Sequence, residues 1–297
     1  MRRWLNASVP AASDVADRSS LWLPGALAFM VTVGWLALLL GVARPPTIAE
    51  LTFFGAGIVT SGQWPWNGIA ILAAAVVLTA TAIALASVAE AALLHGRRAR
   101  PADVRRTFLV GVVCVLPLAV AVAALLVALS FVAPGEFNAP EPGGGPLLRT
   151  LIALGPLIAV GLLAAVLGGA IHAAATRSAG EGDGAWSALR AAPATLGRTG
   201  TAAVGQALAL LALRIGYLAL AAILLRVLWA PIDERLSGEG FGLAVIGLLV
   251  GFVAIWLCLV LAGGALHAWG SVSWTRLLDT RGSEAGAVAQ MESRSRS

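Results

Sequence analysis

Gly168-Gly169-Ala170-Ile171-His172-Ala173 and Gly263-Gly264-Ala265-Leu266-His267-Ala268 are two copies of one phrase, and each closes a long apolar run. Arginines and a tryptophan-containing stretch follow each copy. Ala91-Ala92-Leu93-Leu94-His95 is a looser third copy, placed just ahead of Arg97 and Arg98. The chain has three histidines, and all of them occupy this equivalent position. The pattern reads as three helical hairpins, each ending in a histidine at the same face.

The composition says what those hairpins lie in. Of 297 residues, 59% are hydrophobic and 12% charged, whereas soluble domains carry about 25% charged residues. A soluble fold of this length cannot bury so much apolar surface. Six apolar runs, near 21–43, 67–94, 108–133, 147–175, 201–228 and 241–268, each match the roughly 20 residues that cross a hydrocarbon core of about 30 Å. None keeps a polar face at helical period, which argues against an alanine-rich soluble bundle. The expected fold is therefore an all-α integral membrane protein, a six-transmembrane-helix bundle of three pseudo-repeated hairpins with short interfacial helices. Residues 1–20 are expected to form a polar N-terminal cytoplasmic segment, 21–278 the transmembrane domain, and 279–297 a disordered cytoplasmic tail. Arg2-Arg3 precedes an apolar run that starts too late and lasts too long for a cleaved signal, so the run is expected to stay as a first helix.

Every basic residue is arginine, and the net charge is +5. The arginines concentrate at the N-terminus, in 97–106, in 177–198 and in the C-terminal tail. The other side carries Arg44 and Arg235, with Arg149 and Arg226 near helix ends, together with Glu50, Glu136, Glu141, Asp233, Glu234 and Glu239. Such a bias is the positive-inside pattern, which puts both termini in the cytoplasm of a bacterial inner membrane. The basic charge thus concerns topology and membrane lipid, and no nucleic-acid motif accompanies it. Cys114 and Cys258 fall inside apolar runs and read as small packing residues rather than a disulfide.

Within the outline, Ala49 to Ser61 is apolar enough to lie in the interface or re-enter the membrane, with Trp64 and Trp66 at headgroup level. Pro101 suits the first position of a short helix. Pro117 and Gly155-Pro156 are expected to kink the third and fourth spans. Trp186 and Leu189 share one stripe of a short surface helix. Gly247 and Gly251 make a close-packing pattern for helix pairs.

A helix ending in alanine-rich sequence, then Gly96-Arg97-Arg98-Ala99-Arg100-Pro101, then Trp186-Ser187-Ala188-Leu189-Arg190 before a fresh apolar run, resembles the membrane domain of bacterial glycerophosphodiester phosphodiesterases and its stand-alone uncharacterised relatives. The resemblance covers roughly 67–228 and implies a helical membrane domain. It implies no catalysis, because the phosphodiesterase's catalytic domain has no counterpart here.

Four residues are candidate ligand-binding groups. Arg214 lies near the middle of the fifth run, where charge usually faces a bundle interior or a wet cavity. Gln206 and Tyr217 extend it into one partly polar stripe expected to face other helices. Glu90, one turn before the end of the second run, is expected to reach headgroups or arginines such as Arg97, and its depth argues against direct pairing with Arg214. His95, His172 and His267 could converge on a metal, against the plainer reading that imidazole suits a membrane interface. Lysine is absent altogether, and His-Glu-x-x-His, Gly-x-Ser-x-Gly and Cys-x-x-Cys do not occur. No catalytic residue and no cofactor is assigned. The leading expectation is a non-enzymatic inner-membrane protein, a permease-like unit or a scaffold in envelope or lipid metabolism. The alternatives are the membrane subunit of an exporter driven by a cytoplasmic ATPase, which would dock on 184–192, and an intramembrane metal enzyme using the histidines.

Overall fold

A computed structural model describes residues 2–43, 50, 57, 60–95, 99–138, 145–180, 184–238 and 242–279. No strand occurs among them. The helices are α1 (Arg2–Asp17), α2 (Trp22–Phe29), α3 (Trp35–Val42), α4 (Trp66–His95), α5 (Pro101–Asn138), α6 (Pro146–Gly180), α7 (Ala185–Thr199), α8 (Thr201–Gly238) and α9 (Leu243–Leu278). Six stretches are long and apolar enough to cross a membrane: Ser19–Val42, which joins α2 and α3, and one each in α4, α5, α6, α8 and α9. Their outer faces expose large apolar side chains such as Leu78, Phe131, Ile152 and Leu243. An apolar surface of that extent is unsuited to water.

The first span is broken by a π-helical turn, Met30–Gly34, and the break has a packing reason. On its near side Gly25 lies against the backbone of Gly264 in α9; beyond it, Gly41 lies against Leu225 and Ala222 in α8. A π-turn inserts an extra residue and so rotates the face that follows. One span can thereby present a glycine to α9 and then another to α8.

Both copies of the repeated phrase lie at close helix crossings. A Cβ on Gly264 would collide with the backbone of Ala26, and one on Gly263 with the Phe29 ring. A Cβ on Gly168 would stand 2.8 Å from the Cys114 carbonyl oxygen of α5. Gly169 faces open space. Close approach of backbones through glycine is how membrane helices gain contact without a hydrophobic driving force.

Several helices outrun their expected ends. Pro101 opens the whole of α5 instead of a separate short helix, because the Asp103 carboxylate accepts from the Arg100 amide at 3.0 Å and caps its start. Beyond the apolar run that ends near 133, α5 stays helical as far as Asn138, and Arg149 of α6 clasps Glu136 at 2.9 Å. Both α5 and α6 run on as helix through Pro117 and Pro156, and α8 continues through Pro231 to Gly238.

The polar N-terminal segment is helical over Arg2–Asp17. Ala7, Ser8, Ala11 and Val15 form its buried face, at helical spacing. Asp14 pairs with Arg276 near the end of α9, and the Trp269 indole donates to the Ser8 carbonyl at 2.9 Å. Most of Ala49 to Ser61, Arg97, residues 181–183 and the tail from residue 280 lie outside the described residues.

Candidate functional site

Ionisable side chains of four apolar spans, Glu90, Arg177, Arg214 and His267, converge at the end of the bundle where α4, α6 and α9 finish and α8 begins. Glu90 is its acid, buried on α4. Its Oε1 accepts from the Ser271 hydroxyl at 2.8 Å and lies 3.5 Å from Nη2 of Arg177. Its Oε2 stands 3.6 Å from Nε2 of His267. One carboxylate thus meets α6 through Arg177 and α9 through both Ser271 and His267. The spacing explains the second pair: residues four apart share a helix face, so the turn that presents His267 also presents Ser271.

Arg177 is fully engaged. Its Nη1 donates to the Ala173 carbonyl at 2.8 Å and to Thr176 Oγ1 at 3.3 Å. Its Nη2 donates to Ser271, at 2.6 Å to the carbonyl and 3.0 Å to the hydroxyl, and its Nε donates to Thr275 Oγ1 at 3.1 Å. The side chains of Arg177 and Glu90 are 10% and 11% exposed, so water competes little for these bonds. Sequence reading counted Arg177 as a loop arginine. The signal it passed over was an acid and a base each near the same end of different spans.

Arg214 enters from α8. Its Nη2 lies 3.4 Å from Nδ1 of His267. A guanidinium can only donate, so Nδ1 is the acceptor and the imidazole proton sits on Nε2, facing Glu90. Arg214 and Glu90 are therefore linked through His267, and the depth objection to direct pairing is met by an intervening ring. The expected mid-span position changes too: with α8 extending to Gly238, Arg214 lies in its first half. His172, one turn ahead of Thr176 on α6, packs its ring beside Gly111 of α5, where a Cβ would stand 3.8 Å from Cε1.

Gln206 and Tyr217 lie on the same helix as Arg214 and, like it, face α9, but neither belongs to the cluster. Gln206 is fully buried. It accepts from the Ser8 hydroxyl of α1 at 3.2 Å and donates to Ser273 of α9. Tyr217 donates to the Leu259 carbonyl and meets Phe29 edge to face at 5.6 Å. The stripe thus becomes the seam between α8 and α9, with Gln206 toward α1 and Tyr217 deeper in the apolar layer.

The three histidines do not form a metal centre. Among the described residues, no group of three His, Cys, Asp or Glu side chains could hold a metal ion. His95 follows Glu90 by more than one turn of α4 and takes no part in the cluster's contacts. The nitrogen and oxygen atoms a metal would need on His267 and Glu90 already face two guanidiniums and a hydroxyl. Glu90 likewise meets Arg177, while Arg97 lies outside the described residues. Cys114 is buried and Cys258 exposed, and both are free thiols. No protein-family profile, curated protein or solved structure matches this chain.

Proposed function

We propose that the chain is a multi-pass protein of the bacterial inner membrane, of non-enzymatic type, with both termini cytoplasmic. In this reading it works as a permease-like unit or as a scaffold in envelope or lipid metabolism. One observation carries it: Glu90, Arg177, Arg214 and His267 come from four different spans and meet inside one end of the bundle. Ionisable groups within spans are costly and by default mark a substrate or ion path. The arginine bias supports the orientation. The glycine crossings at both copies of the repeated phrase support the hairpin repeat. The amphipathic faces of α1 and α7 support an interfacial place for both helices. The resemblance to the phosphodiesterase membrane domain supplies the lipid setting.

Cysteine labelling tests the reading in a Cys114→Ser/Cys258→Ser background. Ser178→Cys should react with an impermeant maleimide from the cytoplasmic side and Asn138→Cys from outside; the reverse pattern overturns the orientation. Ser87 is buried beside Gly111. Labelling of Ser87→Cys from the cytoplasm selects the permease-like unit, since a wet crevice must then reach the cluster. Protection from both sides selects the scaffold. A second reading, the exporter subunit, is favoured by α7, which buries Ala188 and Ala192 while exposing Trp186 and Arg190. Co-purification of an ATPase that is lost in Trp186→Ala would select it.

A further inference from the structure

The charges of the cluster do not cancel. Glu90 is the one carboxylate in it, and its oxygens face Arg177, Ser271 and His267. Arg177 has protein acceptors for all three of its nitrogens. Arg214 has none of this support: its single hydrogen-bonding partner among the described residues is the neutral ring of His267, at 3.4 Å. Its Nε and Nη1 donors therefore have no acceptor among the described residues, and neither atom is one of the fully buried unpartnered polar atoms there, which are the indole nitrogens of Trp4 and Trp256. One open guanidinium leaves the group one positive charge in excess.

The depth of this excess charge decides what can reach it. Glu90 lies about 24 residues past the start of α4, and His267 about 24 past the start of α9, or about 36 Å at 1.5 Å per residue. A hydrocarbon core is about 30 Å thick. A bilayer whose far surface meets the starts of α4 and α9 would therefore place the cluster near the arginine-rich boundary, within reach of lipid phosphates. Arg214 is also flanked on α8 by the exposed side chains of Leu213 and Ile215, and Gly216 faces open space. A ligand with an apolar body could approach it sideways.

We infer that Arg214 forms a phosphate-binding site that takes the phosphodiester of a membrane lipid. Arginine's fork matches phosphate oxygens with two parallel charge-assisted bonds. The same chemistry would accept free inorganic phosphate, and the test separates the two sources. The inference rests on the membrane reading above, and the topology labelling decides that reading without reference to Arg214.

The test uses the full chain in detergent micelles, with native mass spectrometry of retained phosphatidylglycerol and diacylglycerol and a thermal-shift titration with inorganic phosphate. Wild-type protein should retain phosphatidylglycerol and not diacylglycerol, which lacks the phosphate. Arg214→Gln should weaken that binding roughly tenfold to a hundredfold, the range for losing a charged hydrogen-bonding partner. Arg214→Lys, which keeps the charge without the fork, should fall between. Arg276→Gln, at the exposed pair with Asp14, should bind as wild type does. Displacement of phosphatidylglycerol by inorganic phosphate, dependent on Arg214, would support the site and assign it the soluble source. Equal retention of phosphatidylglycerol by wild type and a folded Arg214→Gln protein would overturn the inference. So would a wild-type protein that binds neither probe.

Discussion

Glu90→Gln is the most informative single substitution, because it changes charge and almost nothing else. Glutamine keeps the shape and can still accept from Ser271. What it removes is the negative charge 3.5 Å from Arg177 and 3.6 Å from His267. Both partners of the Glu90–Arg177 pair are about nine-tenths buried. Breaking one side of such a pair costs about 3–5 kcal/mol, mostly from the partner left uncompensated. Arg177 keeps its bonds to Ala173, Ser271 and Thr275, so we expect the lower end, about 3 kcal/mol. That is a loss of roughly a hundredfold in the folded-to-unfolded ratio. The measurement is reversible unfolding in mixed micelles with rising dodecyl sulfate, followed by circular dichroism. Replacing the pair with apolar residues, Glu90→Leu with Arg177→Met, should recover most of the loss, since swapping out a whole buried pair is often neutral. The reasoning fails if Glu90→Gln stays within about 0.5 kcal/mol of wild type, the range of ordinary surface changes. It fails equally if the double substitution costs the sum of its parts.

The repeated phrase provides a matched pair of glycine tests. Gly264→Ala should destabilise by about 1–3 kcal/mol through overpacking, because its Cβ would enter the Ala26 backbone. Gly169→Ala, facing open space, should stabilise by up to about 1 kcal/mol; the same unfolding assay reads both, and equal effects would sink the crossing argument. Ser8→Ala should cost about 1–3 kcal/mol by leaving a buried Gln206 oxygen without its donor, and double substitution with Gln206→Leu should show that the two effects are coupled. Deleting residues 2–17 should expose Trp274 and Leu277, which pack in one buried cluster with Ala7, and a rise in Trp274 quenching by iodide would register it.

The six apolar runs were legible because length and hydropathy are properties of each run alone. Their ends were less so. Proline usually stops a helix, yet Pro231 lies within α8, and polar residues continue α5 and α8 beyond the apolar runs. The N-terminal helix was missed for a different reason: its buried face is made of Ala7, Ser8, Ala11 and Val15. Small side chains give a weak periodic signal, and their burial depends on α9 supplying the other half of the contact. Of the site, Glu90, Arg214, His172 and His267 stood out as polar residues in apolar surroundings. Arg177, Ser271 and Thr275 did not, because an arginine or hydroxyl near a span's end is ordinary until its partner helix is known.

The repeated phrase has two parts that do different work. Its glycines set the distance between helices: Gly264 admits the backbone of α2, and Gly168 admits that of α5. Its histidine follows about one turn later, so the ring reaches toward the region that the crossing has drawn together. In the second copy this puts His267 between Glu90 and Arg214, where the one ring can accept at Nδ1 and donate at Nε2. In the first copy His172 sits beside Gly111 with no hydrogen bond to its ring nitrogens among the described residues, while the next turn supplies Arg177 as the clasp to α9 and Thr176 as a hydroxyl that accepts from it. The looser third phrase has alanines, Ala91 and Ala92, in place of the glycines, and its His95 joins no contact of the cluster. What α4 contributes instead is Glu90, one turn ahead of Leu94. The acid that pairs with Arg177 and faces His267 therefore comes from the span that carries the looser phrase, and Arg214 meets it only through that ring.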